Sequence, residues 1–203
     1  MTASNLTIKH QQSLGGITPE QWNNLNIQQN PFLQHEFLYG LETTNCLEPE
    51  GWLPRHITVE AEGELVAALP LYLRTNSYGE FVFDWAWADA YERAGGNYYP
   101  KLVSAIPFTP VRGQRLLVNG DKTDATLIRD LIIKQLLESA ESANISSFHC
   151  LFPADDDSQV FKEHDFLARK GFQFHWHNKG YRDFQDFLDS LTSKKRKQIL
   201  RER

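Results

Sequence analysis

The chain has 203 residues, of which 41% are hydrophobic and 23% are charged, and its formal net charge is −5. This composition is that of a globular protein with one well-packed domain, or one domain with an appendage. It excludes a membrane-spanning helix, because no apolar run approaches the roughly 20 residues that such a helix needs. Since Cys46 and Cys150 are the only cysteines, it also excludes a disulfide scaffold or a thiolate zinc site.

The first residues, MTASNLTIKHQQ, have neither the basic start nor the apolar stretch of a secretory signal, which predicts a cytoplasmic protein. Charge is distributed unevenly along the chain. Residues 194–203 include six basic side chains and one acidic one, whereas the other 193 residues have a net charge of −10. A general nucleic-acid-binding protein carries basic charge over a face of its folded body, so the acidic body argues against that class.

The first half of the chain alternates between strand and helix patterns. Thr18 and Pro19 are typical of a helix start, with Thr18 as the N-cap. Glu62-Gly63 indicates a hairpin turn between two strands. The predicted elements are a strand at 6–10, a helix from Pro19, a helix at 33–44, and strands at 53–60 and 64–74.

The second half continues the alternation and contains the longest helix pattern. The predicted elements are a helix at 85–94 ended by Gly95-Gly96, an extended segment at 102–108, a helix at 124–143, a strand at 146–152, a helix at 158–170 stopped by Gly171, a strand at 172–178, a short amphipathic helix at 184–191, and a basic helix capped by Ser193. In the helix at 124–143 the expected buried face consists of Leu127, Leu131, Ile132, Gln135, Leu136 and Ala140. This order predicts an α/β fold with a mixed central sheet flanked by helices and followed by a C-terminal basic helix.

Residues 76–115 are the most informative segment. They contain nine of the chain's twenty-five aromatic side chains, interspersed with acids and bases. Neither a strand period nor a helix period runs through the whole segment, so core packing alone does not explain it. Because carboxyl groups beside aromatic rings are desolvated, and desolvation raises their pKa towards neutrality, we interpret the segment as the wall of a ligand site.

Glu80 and Asp84 are the candidate catalytic bases. If 79–84 is an extended strand, both carboxyl groups lie on one face and raise each other's pKa, while Phe81 and Phe83 point into the core. The alternative for Glu80 is a structural ion pair with an arginine. For Asp84 we favour a second alternative, an N-cap for the helix that begins at Trp85.

The candidate substrate-binding residues near these acids are Tyr78, Tyr98, Tyr99 and Lys101, together with Arg112 and Arg115. Aromatic faces suit sugar rings, and a lysine suits a phosphate or carboxylate. An ordinary aromatic strand start with a solvated lysine is the alternative, and a surface turn around Gly113 is the alternative for the two arginines. The seven histidines do not cluster, so no metal site is predicted.

Three stretches resemble the FemAB-like predicted N-acyltransferases of the GNAT superfamily. They are SYGEFVFDWAWADAYERAG at 77–95, YYPKLVSAIPFTPVRGQRLL at 98–117 and SKKRKQILRER at 193–203. The resemblance implies a GNAT-like domain at 1–180, a helical junction at 181–203 and a second GNAT-like domain, absent from this chain, which would then be an N-terminal half. It also implies an acyl-CoA or aminoacyl-tRNA donor and an amine acceptor in a small molecule or cell-wall precursor.

The resemblance extends to the basic helix and fails at one loop. Lys194, Arg196 and Lys197 match a basic helix of the family, which implies contact with a nucleotide-sugar phosphate or a tRNA backbone; a solvated face is the alternative. The phosphate-binding loop of acetyl-CoA-dependent relatives corresponds to 118–124, VNGDKTD, whose single glycine and two aspartates make a poor anion site. A non-catalytic ligand-binding domain that acts with a partner domain therefore remains the alternative to an enzyme.

Overall fold

The computed structural model describes residues 6–25, 29–120 and 124–202. The chain forms two compact units, Met1–Ala168, called the body, and Arg169–Arg203, called the tail unit. Among the described residues, no helix is both long enough and apolar enough to cross a membrane. Within the described residues, the two units together contain eight strands and seven α-helices.

Strands and helices alternate in the body, as the sequence predicts. The strands are β1 (Leu6–Gln11), β2 (Trp52–Pro54), β3 (His56–Ala61), β4 (Glu64–Leu69), β5 (Tyr72–Arg74), β6 (Lys101–Ser104), β7 (Leu117–Val118) and β8 (Phe148–Cys150). The body helices are α1 (Pro19–Asn23), α2 (His35–Thr43), α3 (Trp85–Arg93), α4 (Ala125–Ser142) and α5 (Asp155–Glu163). The tail unit contains α6 (Phe184–Asp189) and α7 (Ser193–Glu202).

The strands form two four-stranded sheets. Their orders are β1-β3-β4-β7, which is antiparallel throughout, and β2-β5-β6-β8, in which β6 and β8 are parallel. The predicted mixed α/β class is therefore confirmed, with the strands divided between two sheets. The predicted strand at 53–60 is split between them at Arg55, whose N–H donates to the Leu71 carbonyl at 2.8 Å.

Local sequence signals account for the helix ends. Thr18 Oγ1 accepts from the Gln21 N–H at 3.2 Å and the Gln21 side chain accepts from the Thr18 N–H at 3.0 Å, which is a capping box at the start of α1. The predicted helix start is confirmed. The long helix α4 buries Ile128, Ile132, Ile133 and Leu136. Its predicted face was partly wrong, because Leu127 is exposed.

The helix predicted at 158–170 begins earlier and ends at Glu163. Asp165 is left-handed with φ of +63°, the Asp165 N–H donates to the Lys162 carbonyl and the Phe166 N–H to the Phe161 carbonyl. This is a Schellman end, completed by a ring contact between Phe161 and Phe166 at 5.4 Å. The prediction missed it because aspartate, not glycine, occupies the left-handed position.

The strand predicted at 172–178 belongs to neither sheet in the structure. Its large apolar side chains, Phe172, Phe174 and Trp176, are exposed. The prediction of a strand at 172–178 was therefore wrong, because these residues make none of the strand pairings that the structure describes.

Candidate functional site

Two buried cations lie side by side on one face of the second sheet. The antiparallel register pairs Arg74 at the end of β5 with Lys101 at the start of β6, and directly paired residues share a face of the sheet. Both side chains are fully buried. Adjacent buried cations repel each other and lose their hydration, so this placement requires compensating anions.

Glu80 and Asp84 supply the compensating negative charge. Glu80 accepts from Arg74 Nε at 3.1 Å and from Lys101 Nζ at 2.8 Å, and Asp84 Oδ2 accepts from Lys101 Nζ at 2.7 Å. Both carboxylate side chains are fully buried. The four residues Arg74, Glu80, Asp84 and Lys101, called the ion-pair cluster, are electrically balanced.

Arg74 is a site residue that the sequence analysis missed. Its remaining N–H groups bond to the Glu50 carbonyl at 2.9 Å, to the Asn76 side chain at 3.1 Å and to the Tyr78 carbonyl, and its guanidinium carbon lies 3.8 Å from the centre of a Trp52 ring. The sequence did contain a signal for Arg74, which is a charged residue at the end of an otherwise apolar strand. An arginine buried at that position requires a carboxylate partner.

The loop that carries the acids is not the extended strand that the sequence predicted. Gly79, Phe81 and Phe83 have positive φ values of +78°, +60° and +51°, which reverse the expected alternation. As a result Phe81 and Phe83 are 48% and 72% exposed, while Glu80 is 2% exposed. Left-handed backbone at two phenylalanines is strained and persists only where surrounding contacts enforce it, here the burial of the loop's carboxylates against the cations.

Asp84 occupies the N-cap position of α3, as predicted, but its side chain does not cap the helix, so that part of the favoured interpretation was wrong. No side-chain capping bond is present, and Asp84 Oδ2 instead accepts from Tyr98 Oη and Lys101 Nζ, each at 2.7 Å. Burial raises the pKa of Asp84, but hydrogen bonds from Lys101, Tyr98 and Ser77 outweigh it and lower the pKa to about 2. Asp84 is therefore a weak base at neutral pH.

Glu80 has the opposite shift. Burial raises the pKa of Glu80 above its usual value, although Lys101 and Arg74 partly offset that effect. The expectation that the two carboxylates raise each other's pKa was wrong, since desolvation is the principal cause for Glu80 and hydrogen bonds lower the pKa of Asp84. Of the two acids, Glu80 has the pKa direction that a general base needs.

Because the folded-state pKa of Asp84 is depressed, its ionised form stabilises the fold above the unfolded pKa of about 3.8, and that contribution is lost as pH falls towards 2. We expect Asp84→Asn to lower the free energy of unfolding by at least about 2 kcal/mol at pH 7 and by much less near pH 2. Urea denaturation at pH 7, 4 and 2 measures this difference. Asp89→Asn, an exposed acid of α3, is the matched control, and equal losses for Asp84→Asn at all three pH values would contradict the assignment.

A row of hydrogen bonds leads from the ion-pair cluster towards solvent. Lys101 Nζ donates to Ser77 Oγ at 2.7 Å, and Ser77 Oγ is 2.8 Å from Tyr99 Oη. Ser77 is buried, whereas Tyr99 is half-buried. Tyr98, Tyr99 and Lys101, all predicted from the sequence, therefore lie together with Glu80.

Six aromatic side chains that are close to these acids in the sequence are exposed to solvent. This aromatic surface consists of Tyr78, Phe81, Phe83, Trp85, Trp87 and Tyr91. The rings of Tyr78 and Trp85 are in contact, with centroids 5.0 Å apart. In α3 only Ala88 is buried, so the helix presents its rings outward. Exposed aromatic side chains in this number are typical of a binding surface.

The two predicted arginines do not contact the ion-pair cluster. Arg112 is exposed, with a salt bridge to Asp155 and a bond from Nε to the Pro153 carbonyl at 3.2 Å. Arg115 is fully buried, and its guanidinium donates to three backbone carbonyls, those of Leu151, Gln114 and Val111, at 3.0, 2.9 and 2.8 Å. These contacts hold the turn after β6 in place.

The predicted basic residues lie in the tail unit. Arg196 donates to the carbonyls of Leu188, Asp189 and Leu191, so it closes the end of α6. Lys194 and Lys197 line a shallow depression on α7 together with Arg201. Gln198 and the acid Glu202 also line the depression, so its three basic side chains suit an anion but are partly balanced by one carboxylate.

The loop predicted to be a poor phosphate site lies partly outside the described residues, since 121–123 are not among them. The Asp124 side chain accepts from the N–H groups of Thr126 and Leu127 at 3.0 and 3.3 Å. These are the N–H groups with which a helix N-terminus binds an anion, so a carboxylate already occupies that position in α4. Among the described residues no group of three acids, histidines or cysteines could hold a metal ion.

The fold and the cluster define a mixed α/β protein with a buried ion-pair cluster next to an exposed aromatic surface. The model of the FemAB-like family, described as peptidoglycan biosynthesis/recognition, matches residues 13–203. The chain belongs to the FemAB-like family, which confirms the resemblance. No curated protein matches the chain.

Two solved structures with 11% identity are similar to this chain. One is a ribosomal-protein-alanine N-acetyltransferase from Brucella melitensis biovar Abortus 2308, with a TM-score of 0.44 over 86% of this chain and 98% of that chain. The other is an aminoglycoside 6′-N-acetyltransferase from Acinetobacter haemolyticus, with a TM-score of 0.45 over 85% of this chain and 97% of that chain. Both are N-acetyltransferases by name, but TM-scores below 0.5 assign no function to this chain.

Proposed function

We propose that the protein is an N-acyltransferase in which Glu80 receives the proton released by an attacking amine. Membership of the FemAB-like family supports this class of reaction. The observation that carries the proposal is the continuous row of hydrogen bonds from Glu80 through Lys101 and Ser77 to the half-buried hydroxyl of Tyr99. The row connects a buried carboxylate whose pKa is raised to a group within reach of a ligand.

The row can carry one proton from the amine to Glu80, and none of the groups in between is left with a changed charge. Lys101 first gives a proton to Glu80 Oε2, which leaves Nζ with a free lone pair. After Nζ rotates, that lone pair takes the Ser77 proton, Ser77 Oγ takes the Tyr99 proton, and Tyr99 Oη takes the amine proton. Burial raises the pKa of Tyr99, so its hydroxyl stays protonated and relays the proton instead of storing charge. The amine nitrogen gives up this proton as it bonds to the acyl carbon. The bond from that carbon to its sulfur or oxygen leaving atom then breaks, and the leaving atom keeps the electron pair and takes a proton from water.

The aromatic surface supports an acceptor with sugar rings, because exposed aromatic faces stack on the apolar faces of sugars. Tyr78 would contact such an acceptor directly. Lys101 serves the relay in this proposal, since its three N–H donors are all used by Ser77, Glu80 and Asp84. A cell-wall precursor with a free amine fits this surface and the family's description.

The donor is an aminoacyl-tRNA or an acyl-CoA in this proposal. The carboxylate of Asp124 at the start of α4 opposes a pyrophosphate there, which favours aminoacyl-tRNA over acyl-CoA for this domain. Lys194, Lys197 and Arg201 would contact the phosphate backbone. A second GNAT-like domain, and Arg112 and Arg115 as further ligand contacts, remain predictions from the family resemblance.

The test compares Glu80→Gln with wild type in transferring labelled alanine from alanyl-tRNA, or labelled acetate from acetyl-CoA, to a lysine-containing muropeptide. We expect Glu80→Gln to lower the transfer rate at least about tenfold, because general-base catalysis contributes that much or more. Tyr99→Phe, which removes only a half-buried hydroxyl, should lower the rate as well. Glu92→Gln in α3 makes the same chemical change on an exposed acid and should not.

Unchanged transfer by a folded Glu80→Gln variant would remove Glu80 from the reaction. Circular dichroism and the melting temperature establish that each variant is folded, so that a loss of activity is not a loss of structure.

A non-catalytic ligand-binding domain is the second candidate. The observation that favours it is the complete burial of all four cluster side chains, which is also the arrangement of a purely structural ion-pair network. Calorimetry of residues 1–203 with acetyl-CoA separates the two candidates in part, since submillimolar binding supports a self-contained enzyme. Binding of the muropeptide with no transfer from either donor supports the non-catalytic domain.

A further inference from the structure

The segment 172–178 of the tail unit combines the pattern of a β-strand with unusual exposure. Its sequence, FQFHWHN, places aromatic residues at every second position. Phe172 and Phe174 are 97% and 102% exposed and Trp176 is 65% exposed. The segment belongs to neither sheet of the described structure. Three large exposed rings in one short segment point to a surface that another molecule covers.

Side-chain contacts show that alternate residues of the segment share a side, as they do in a strand. The rings of His175 and His177 are stacked, with centroids 6.4 Å apart and an angle of 19°. His175 Nε2 is also 3.3 Å from Gln173 Oε1. Gln173, His175 and His177 therefore lie on one side of the segment, and a pleated strand would place the three alternate rings on the other side.

The segment is also anchored, and it lacks acids, lysines and arginines. Trp176 contacts the rings of Tyr181 and Phe187, with centroids 6.2 and 6.0 Å apart, so one end of the segment is held against the α6 region. No acidic side chain, lysine or arginine occurs between Gly171 and Asn178. Charged residues are the usual protection of an exposed strand against pairing with another strand, and this segment lacks them.

We propose that residues 172–176 pair in antiparallel fashion with the same residues of a second copy of this chain, about a two-fold axis at Phe174. In this register Phe172 lies opposite Trp176 of the partner subunit and Phe174 lies opposite Phe174 of the partner subunit. All three aromatic pairs fall on one face, where directly opposed aromatic side chains stabilise a sheet. Gln173 lies opposite His175 of the partner subunit on the polar face. The segment is complementary to itself, as a two-fold interface requires.

The size of the interface sets the expected affinity. A large aromatic side chain buries roughly 150 to 250 Å², so six rings bury on the order of 1,000 Å². This area is at the lower limit for specific protein interfaces, so we expect a weak, concentration-dependent dimer with a micromolar dissociation constant.

Sedimentation velocity between micromolar and several hundred micromolar protein tests the dimer. We expect the mass to rise with concentration from 23.4 kDa towards twice that value, and Phe174→Glu to keep the protein monomeric throughout. Because Phe174 is fully exposed, this substitution should leave the melting temperature of the monomer unchanged. Leu167→Glu, which replaces another fully exposed apolar side chain outside the segment, is the control and should leave the dimer intact.

Cysteine cross-linking in a Cys46→Ser background tests the register. Directly opposed strand residues have Cα atoms within disulfide range, so Phe174→Cys should cross-link to itself faster than Gln173→Cys, which lies opposite His175. A wild-type protein that stays monomeric at several hundred micromolar would overturn the proposal, as would a dimer that survives Phe174→Glu. Faster cross-linking of Gln173→Cys would overturn the register.

Discussion

Lys101→Met is expected to lower the free energy of unfolding by about 3–5 kcal/mol at pH 7, the usual cost of breaking a buried ion pair by removing one partner. Methionine preserves most of the side-chain volume, so the loss reports on charge and not on packing. Glu80 would keep its bond from Arg74, but Asp84 would keep only the hydrogen bonds from Tyr98 and Ser77. Urea denaturation followed by tryptophan fluorescence measures the change.

The pH dependence distinguishes an uncompensated charge from a general loss of packing. Without Lys101 the two carboxylates are more costly to ionise, so the deficit of Lys101→Met should shrink as pH falls and both become neutral. Adding Asp84→Asn to Lys101→Met should restore part of the stability. Lys134→Met, at an exposed position of α4, is the matched control. A deficit below about 1 kcal/mol would show that the cluster is hydrated in solution.

The helix ends in the body that are set by bonds within a few residues were predictable from the sequence. The Thr18 and Gln21 side chains that start α1 are three residues apart. α3 ends at Arg93 and is followed by the Gly95-Gly96 break, near its predicted end at 94. The end of α5 uses the same kind of local bonds but has an aspartate in the left-handed position, so the glycine signal was absent.

The division of the strands between two sheets was not predictable. Pro54 stands beside the change of sheet at Arg55 and Pro70 beside the change after Leu69, so the pattern marks both breaks but not the sheet that each part joins. Strand pairing joins residues far apart in the sequence, as in the pairing of Arg74 with Lys101. A local pattern contains no information on which distant strand is the partner.

The sequence predicted which residues form the site better than it predicted which way their side chains face. The clustering of acids and rings in the sequence identified Glu80, Asp84, Tyr98, Tyr99 and Lys101, which the structure brings together. The period-two pattern of the loop placed the phenylalanines inside and left the carboxylates on the other face. In the structure the buried cations of two distant strands hold the carboxylates inside and the phenylalanines are exposed, because a buried cation without an anion is more costly than an exposed ring.

The ion-pair cluster also fixes the conformation of the loop that carries its carboxylates. Well-packed apolar side chains in place of a buried charged network are often as stable or more stable, so stability alone does not account for four buried charges. Here the charges enforce one particular conformation of 79–84, in which the carboxylates face inward and the rings face outward. We infer that the cluster specifies the position of the aromatic surface as well as supplying the proposed proton acceptor.

Gly79→Ala should show how tightly that conformation is enforced. Gly79 has φ of +78°, and a Cβ atom there would lie 2.5 Å from Phe108 Cδ1 and 2.8 Å from Phe108 Cε1. The Phe108 ring packs edge-on against Trp52, with centroids 5.7 Å apart, and Trp52 in turn underlies Arg74. We expect a loss of about 2–4 kcal/mol in the free energy of unfolding, combining left-handed strain with overpacking.

Gly63→Ala separates the two contributions. Gly63, in the hairpin between β3 and β4, has φ of +85°, but a Cβ atom there would meet nothing within 4 Å, so this variant measures left-handed strain alone, about 1 kcal/mol. The excess loss in Gly79→Ala is the cost of displacing the Phe108 ring. Equal losses in the two variants, measured by urea denaturation, would mean that Phe108 moves freely and that the loop is held by the buried charges alone. A larger loss in Gly79→Ala would mean that ring packing and ion pairs jointly hold the carboxylates inward.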